Sequence, residues 1–227
     1  MNRLPPQVFE ALAHTLGQSV LFDEGVEATR NACVAGAPIA AAVVTAAAYY
    51  SNPLTGVPAL LSCMERLRCS ETRTASWLEA FAKSPHPSTG DPDYAPGFGF
   101  MRADQQRAIA EAAGRMLSEL PGPRLALYVA SRGILEAQLG PLNQAGLCAF
   151  VFVDQGLSAD AAERTFVLLR MEPALVEAQR ARLSGLKNFP FFTDTYRYEG
   201  PWPAPRSEAD ESDLDLRTLA QEVGLDL

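Results

Sequence analysis

Hydrophobic residues recur along this chain three and four positions apart, and the strict alternation of a half-buried strand is missing. The pattern predicts helices over 5–16, behind a Pro-Pro start, and then over 24–30, 38–50, 57–69 and 71–83, the last two flanking a Ser-Glu helix-start signal. The stretch "KSPHPSTGDPDYAPGFG" puts four prolines and three glycines into 17 residues and predicts a loop, taken as 84–101. Helices resume at 103–119, 124–138, 143–155 and 158–184. Only short apolar runs such as "LCAFVFV" are ambiguous between strand and helix, so the fold class is all-α.

The helical domain is drawn at 1–205, with 188–205 an extended arm and 206–227 an acidic tail. The arm is rich in aromatics and proline, with Phe189, Phe191, Phe192, Tyr196, Tyr198 and Trp202, so it must lie on its own domain or on a partner. The tail carries Leu214, Leu216, Leu219 and Val223 at near-helical spacing, as a short solvated helix or a disordered end. One segment invites a membrane assignment, because Ala32 to Met64 holds no charged residue. It is mostly weakly apolar Ala and carries Pro38, so a helix buried on all sides is expected instead, at the centre of a domain or at an oligomer interface.

Charge and cysteine usage narrow the chemistry. A formal net charge of -8 leaves no basic stripe to displace counterions from phosphates, so nucleic acid is excluded as a partner. Nothing at the N-terminus reads as an export signal, and a cytoplasmic protein is expected. Cys33, Cys63, Cys69 and Cys148 follow no CxxC spacing and the only histidines are His14 and His86, so no metal site is expected.

Three breaks in the helical pattern combine Pro, Gly and Asn: "SNPLTGVPA" at 51–59, "APGFGFMRAD" at 95–104 and "LGPLNQAG" at 139–146. In this order they resemble the loops of the citrate synthase family, above all its short citryl-CoA lyase-like members, where they read about GPLHGGA, PGFGH before a D-P-R-A helix start, and PNVDG or LNIDG. The matching residues are Pro53, Leu54 and Gly56; Pro96, Gly97, Phe98 and Gly99; and Leu142, Asn143 and Gly146. "AFVFVDQGLSADAAERTFVLLRMEPALVEAQ" and "YRYEGP" further on also resemble the family's register, and the likeness spans about residues 30–205.

The resemblance implies a helical acyl-CoA fold with a site shared between two subunits, hence a homodimer. It also implies loss of the family's chemistry. The His that polarises the thioester carbonyl falls on Thr55, the second His on Phe100, and the Asp that takes the proton on Ala145. A general acid or base contributes roughly 100- to 10,000-fold each, and neither a phenyl ring nor a methyl group supplies that. Thr55 and Arg107 remain weak catalytic candidates, with Arg102 the alternative to Arg107 for a substrate carboxylate. The resemblance places Pro96, Gly97, Phe98, Gly99 and Asn143 where the family wraps coenzyme A. Two readings stand side by side: a degenerate homologue that binds an acyl-CoA or carboxylate as a binding or partner subunit, and an enzyme with repurposed chemistry through Thr55, His86, Asp104 or Arg107.

Overall fold

The computed structural model describes residues 4–18, 23–81, 94–99 and 103–184. Among them nine helices follow one another: α1 (Pro6–Gln18), α2 (Glu24–Val34), α3 (Ile39–Tyr50), α4 (Val57–Cys69), α5 (Thr74–Ala80), α6 (Ala103–Glu119), α7 (Pro123–Leu139), α8 (Gln144–Asp154) and α9 (Ala159–Ser184). No named strand interrupts them, so the all-α expectation holds. None of these helices is long and apolar enough to cross a membrane. The arm, the acidic tail and loop residues 84–93, 100 and 101 lie outside the described residues.

Local chemistry sets the helix ends. Asp23 opens α2 by accepting from the backbone N–H of Gly25 and Val26, at 2.9 and 3.1 Å. At α7 the start is made by Pro123 in the first turn and the end by Gly140, whose φ of 92° a side chain would resist. A carboxylate from elsewhere completes that start. Asp154, the last residue of α8, accepts from the backbone N–H of Arg124 and Leu125. A side chain on Gly122 would collide with this carboxylate.

The ambiguous run "LCAFVFV" is helical and central. Ala145 through Phe152 are all buried in α8, because helices pack on every side of it. Phe150 meets Trp77 of α5 at 5.2 Å and Tyr128 of α7 at 5.4 Å between ring centroids. The main core joins α1, α4, α5, α6, α7 and α8 with the first part of α9.

The pair α2–α3 packs apart from this core, along the later part of α9. Two small clusters do so, one of Val26, Ala46, Tyr50 and Ala174 and one of Cys33, Ala42, Ala178 and Ala181. Within one chain, therefore, the Ala-rich segment is not the centre of a domain. In α3 only Ala42, Ala46 and Tyr50 are buried, whereas Val44 is 69% and Tyr49 42% exposed. Small residues on one face are what let α3 approach α2 and α9 closely.

Helix α9 runs 26 residues through both regions despite Pro173 inside it. Proline removes one backbone donor and crowds the preceding turn. The phenol of Tyr50 donates to the carbonyl of Arg170 at 2.8 Å, next to that interruption.

Candidate functional site

The second loop is a tight turn. Phe98 N–H donates to the carbonyl of Ala95 at 3.0 Å, with Pro96 and Gly97 in the two central positions and φ of 84° at Gly97. A side-chain carbon on Gly97 would lie 2.8 Å from both Cys63 Sγ and the α-carbon of Gly146. The glycine therefore serves conformation and close approach together.

This turn is bonded to the third loop. Gly99 N–H donates to Pro141 at 2.7 Å and Asn143 N–H donates to Gly97 at 3.0 Å, forming a single antiparallel bridge between Phe98 and Leu142. Phe98 turns inward, with its ring 5.4 Å from Phe81 and 6.4 Å from Phe150. It is 1% exposed, so it fills core rather than lining open space. Asn143 opens α8 through its side-chain oxygen, which accepts from Gly146 N–H at 3.0 Å. Gly146 has no room for a side chain, which would strike the carbonyl of Gly97. The other end of the Asn143 carboxamide, Nδ2, is buried with no hydrogen-bond acceptor among the described residues.

The first loop reaches the second through Tyr94, whose phenol donates to the carbonyl of Pro53 at 3.1 Å. Burial pushes that phenol up to about 12 from its ordinary 10.0, so it is a donor at neutral pH. From behind, Arg170 Nη1 donates to the carbonyl of Thr55 at 3.2 Å. Arg170 and Asp23 form a buried ion pair, at 2.6 Å from Nη2 and 3.0 Å from Nε to Asp23 Oδ2. The guanidinium also lies over Tyr50, 4.3 Å from its centroid, and 5.2 Å from that of Phe166. A charge removed from water needs this set of partners.

Gly97, Phe98, Gly99 and Asn143 thus meet at the start of α8, where Ala145 lies, whereas the loop of Thr55 is tied to Tyr94 and Arg170. Thr55 is half-buried, and Ala145 is 0% exposed. Arg107 is exposed on α6. Phe100, Arg102 and His86, with the side chain of Asp104, lie outside the described residues. Among the described residues no group of three or more His, Cys, Asp or Glu is placed to hold a metal.

Sequence reading missed the residues that fix these loops: Asp23, Tyr50, Tyr94 and Arg170. Two of them carried a signal. Asp23 precedes a helical run in a position that favours a cap, and Arg170 follows the apolar run "FVLL", where an apolar surround demands a partner. Their pairing across 147 positions has no local signature. No protein-family model matches this chain, and no curated protein matches it.

Proposed function

We propose that this chain is a citrate synthase-like scaffold without the condensing machinery, which binds an acyl-CoA or a related carboxylate and serves as a binding or partner subunit. The observation that carries the reading is the junction at the start of α8. Two loops far apart in sequence are tied together there through Gly97, Gly99, Pro141 and Asn143, and the first loop joins the second through Tyr94 and Pro53. One buried donor at that junction, Asn143 Nδ2, has no acceptor among the described residues. A buried donor left unpaired costs about 1–3 kcal/mol, and a ligand carbonyl or carboxylate oxygen would relieve that cost. The groups at Thr55 and Ala145, a hydroxyl and a methyl, supply neither a base nor an acid for enolate chemistry, which separates binding from turnover.

Asn143→Asp tests this directly. The aspartate keeps the oxygen that caps α8 but removes the amide donor, so the fold should persist while ligand binding is lost. In wild-type protein, at least one member of a panel of coenzyme A, acetyl-CoA, longer acyl-CoAs and tricarboxylates should raise the thermal midpoint. A ligand at 100 times its Kd adds about 2.7 kcal/mol. The variant should keep its own midpoint and show no shift. No CoA release from acetyl-CoA with oxaloacetate should be detectable in either protein. No shift from any member of the panel, or turnover near 1 per second, would overturn the reading.

A further inference from the structure

We propose that the cleft between α4 and α5 is a modification site, in which Cys69 forms a mixed disulfide with a small thiol built on a cysteine unit. The cleft holds about 520 Å³ and is lined by Glu65, Arg66 and Cys69 of α4, Ser70 just beyond it, and Ser76 and Glu79 of α5. Small-molecule sites have volumes of about 300–1,000 Å³.

The Cys69 thiol is exposed, but the charges around it are what point to a ligand. Arg66 is half-buried. Its Nη1 donates to the carbonyl of Ala80 at 2.8 Å, and the guanidinium carbon lies 5.8 Å from the ring centroid of Phe81. Among the described residues its Nε and Nη2 have no acceptor and no carboxylate pairs with it. A bound carboxylate would satisfy that fork through charge-assisted hydrogen bonds. The exposed carboxylates of Glu65 and Glu79 likewise make no ion pair among the described residues, and a ligand ammonium would answer them. On the α5 side, the hydroxyl oxygen of Ser76 accepts from Glu71 N–H at 3.2 Å, which leaves its own O–H to donate.

Spacing selects the ligand. Glu65 and Arg66 precede Cys69 by one helical turn in α4, so the three share a face with about 5–6 Å between β-carbons. A cysteine unit carries both its ammonium and its carboxylate on the carbon two bonds from sulfur, which is a matching reach. With its sulfur on Cys69, the ammonium faces Glu65 and the carboxylate faces Arg66. In the step itself, the Cys69 thiolate attacks one sulfur of a disulfide of that thiol. The new bond to Sγ forms as the old sulfur–sulfur bond breaks, and the other half leaves as a thiolate that takes up the proton Cys69 released. Cys69 is oxidised and the departing half reduced, so no further oxidant is required, and excess thiol reverses the step.

The test uses the full-length chain and three symmetrical disulfides: cystine with both charges, cystamine with the ammonium alone, and dithiodipropionate with the carboxylate alone. Each rate of adduct formation, read by intact mass, is divided by the rate of the same disulfide with N-acetylcysteine, which removes its intrinsic reactivity. Cystine should exceed the other two by roughly tenfold, the equivalent of about 1.4 kcal/mol, and peptide mapping should place the adduct on Cys69. The net charge of -8 would by itself favour cystamine, so a preference for cystine reports the cleft. Arg66→Gln should slow cystine and dithiodipropionate by about tenfold and leave cystamine unslowed. Glu65→Gln combined with Glu79→Gln should slow cystine and cystamine and speed dithiodipropionate. Should the change at Arg66 unfold the chain, as read by circular dichroism, the pair of exposed glutamates decides alone. Equal normalised rates for the three disulfides, an adduct on another cysteine, or rates indifferent to these changes in folded protein would overturn the proposal and leave Cys69 an ordinary surface thiol.

Discussion

Four cysteines in a helical chain pose a question of reactivity that burial answers residue by residue. Cys63 and Cys148 are 0% exposed and Cys33 4%, while Cys69 is exposed. Burial raises the Cys148 thiol to about 12 from an ordinary 9.0, with the charge of Arg170 pulling weakly the other way. Cys63 is raised further by the same cause. Thiolate, not thiol, is the nucleophile, so one thiol per chain should react rapidly with a disulfide reagent, and Cys69→Ser should abolish that phase. The same shifts fix a pH dependence. Both folded thiols bind the proton more tightly than unfolded ones do, so their contribution to stability is complete below about pH 9 and is lost as pH rises toward 12. Tyr94, raised to about 12 from 10.0, adds to the loss above pH 10. The thermal midpoint should therefore fall steadily from pH 9 to 11.5, and Cys148→Ala should flatten the first part of that fall relative to its own midpoint at pH 8. A midpoint flat across that range would contradict this account.

At the scale of elements, Asp154 shows how one helix ends by starting another. Its carboxylate takes the backbone donors of Arg124 and Leu125 at the start of α7 and lies 3.7 Å from Arg124 Nη1. Asp154→Ala leaves part-buried donors without an acceptor, at a cost of about 1–3 kcal/mol. The denaturant midpoint should fall accordingly while the slope stays constant, and a changed slope would mean that α7 no longer folds with the rest. The helices themselves were legible in the sequence because period, caps, prolines and glycines are local signals. Those over 57–69 and 103–119 agree with the structure at both ends, and the others differ by a few residues. What the pattern left open had one cause. An apolar run records burial without direction, so the helix read over 143–155 did not declare itself central, and the Ala-rich stretch did not show that within one chain its smallness serves a single close face. The loops of the candidate site were legible as turns, through Pro96, Gly97, Gly99 and Asn143. Their latch was not, since nothing near Asp23 announces Arg170.

That latch governs the whole molecule. The helices α2 and α3 bury small side chains in two satellite clusters along α9, whereas α4 and α8 sit in the large core. Fewer buried contacts mean a lower free energy of local opening. Hydrogen exchange should therefore protect amides of α8 and the middle of α4 up to the global stability, and release those of α2 and α3 earlier as one unit. The buried pair of Asp23 and Arg170 is what joins that unit to the rest, because it ties the start of α2, the centre of α9 and the carbonyl of Thr55. Asp23→Asn keeps an oxygen to cap α2 but strands the guanidinium, and breaking a buried pair from one side costs about 3–5 kcal/mol. Exchange in α2 and α3 should accelerate by a hundredfold or more, each 1.4 kcal/mol being tenfold, and loop 51–56 should accelerate with them. Loops 94–99 and 140–143 hold each other through Gly97, Gly99, Pro141 and Asn143 and should keep most of their protection. If all three loops lost protection together, the chain would open as a single cooperative body, and the first loop would have no independent freedom to admit a ligand.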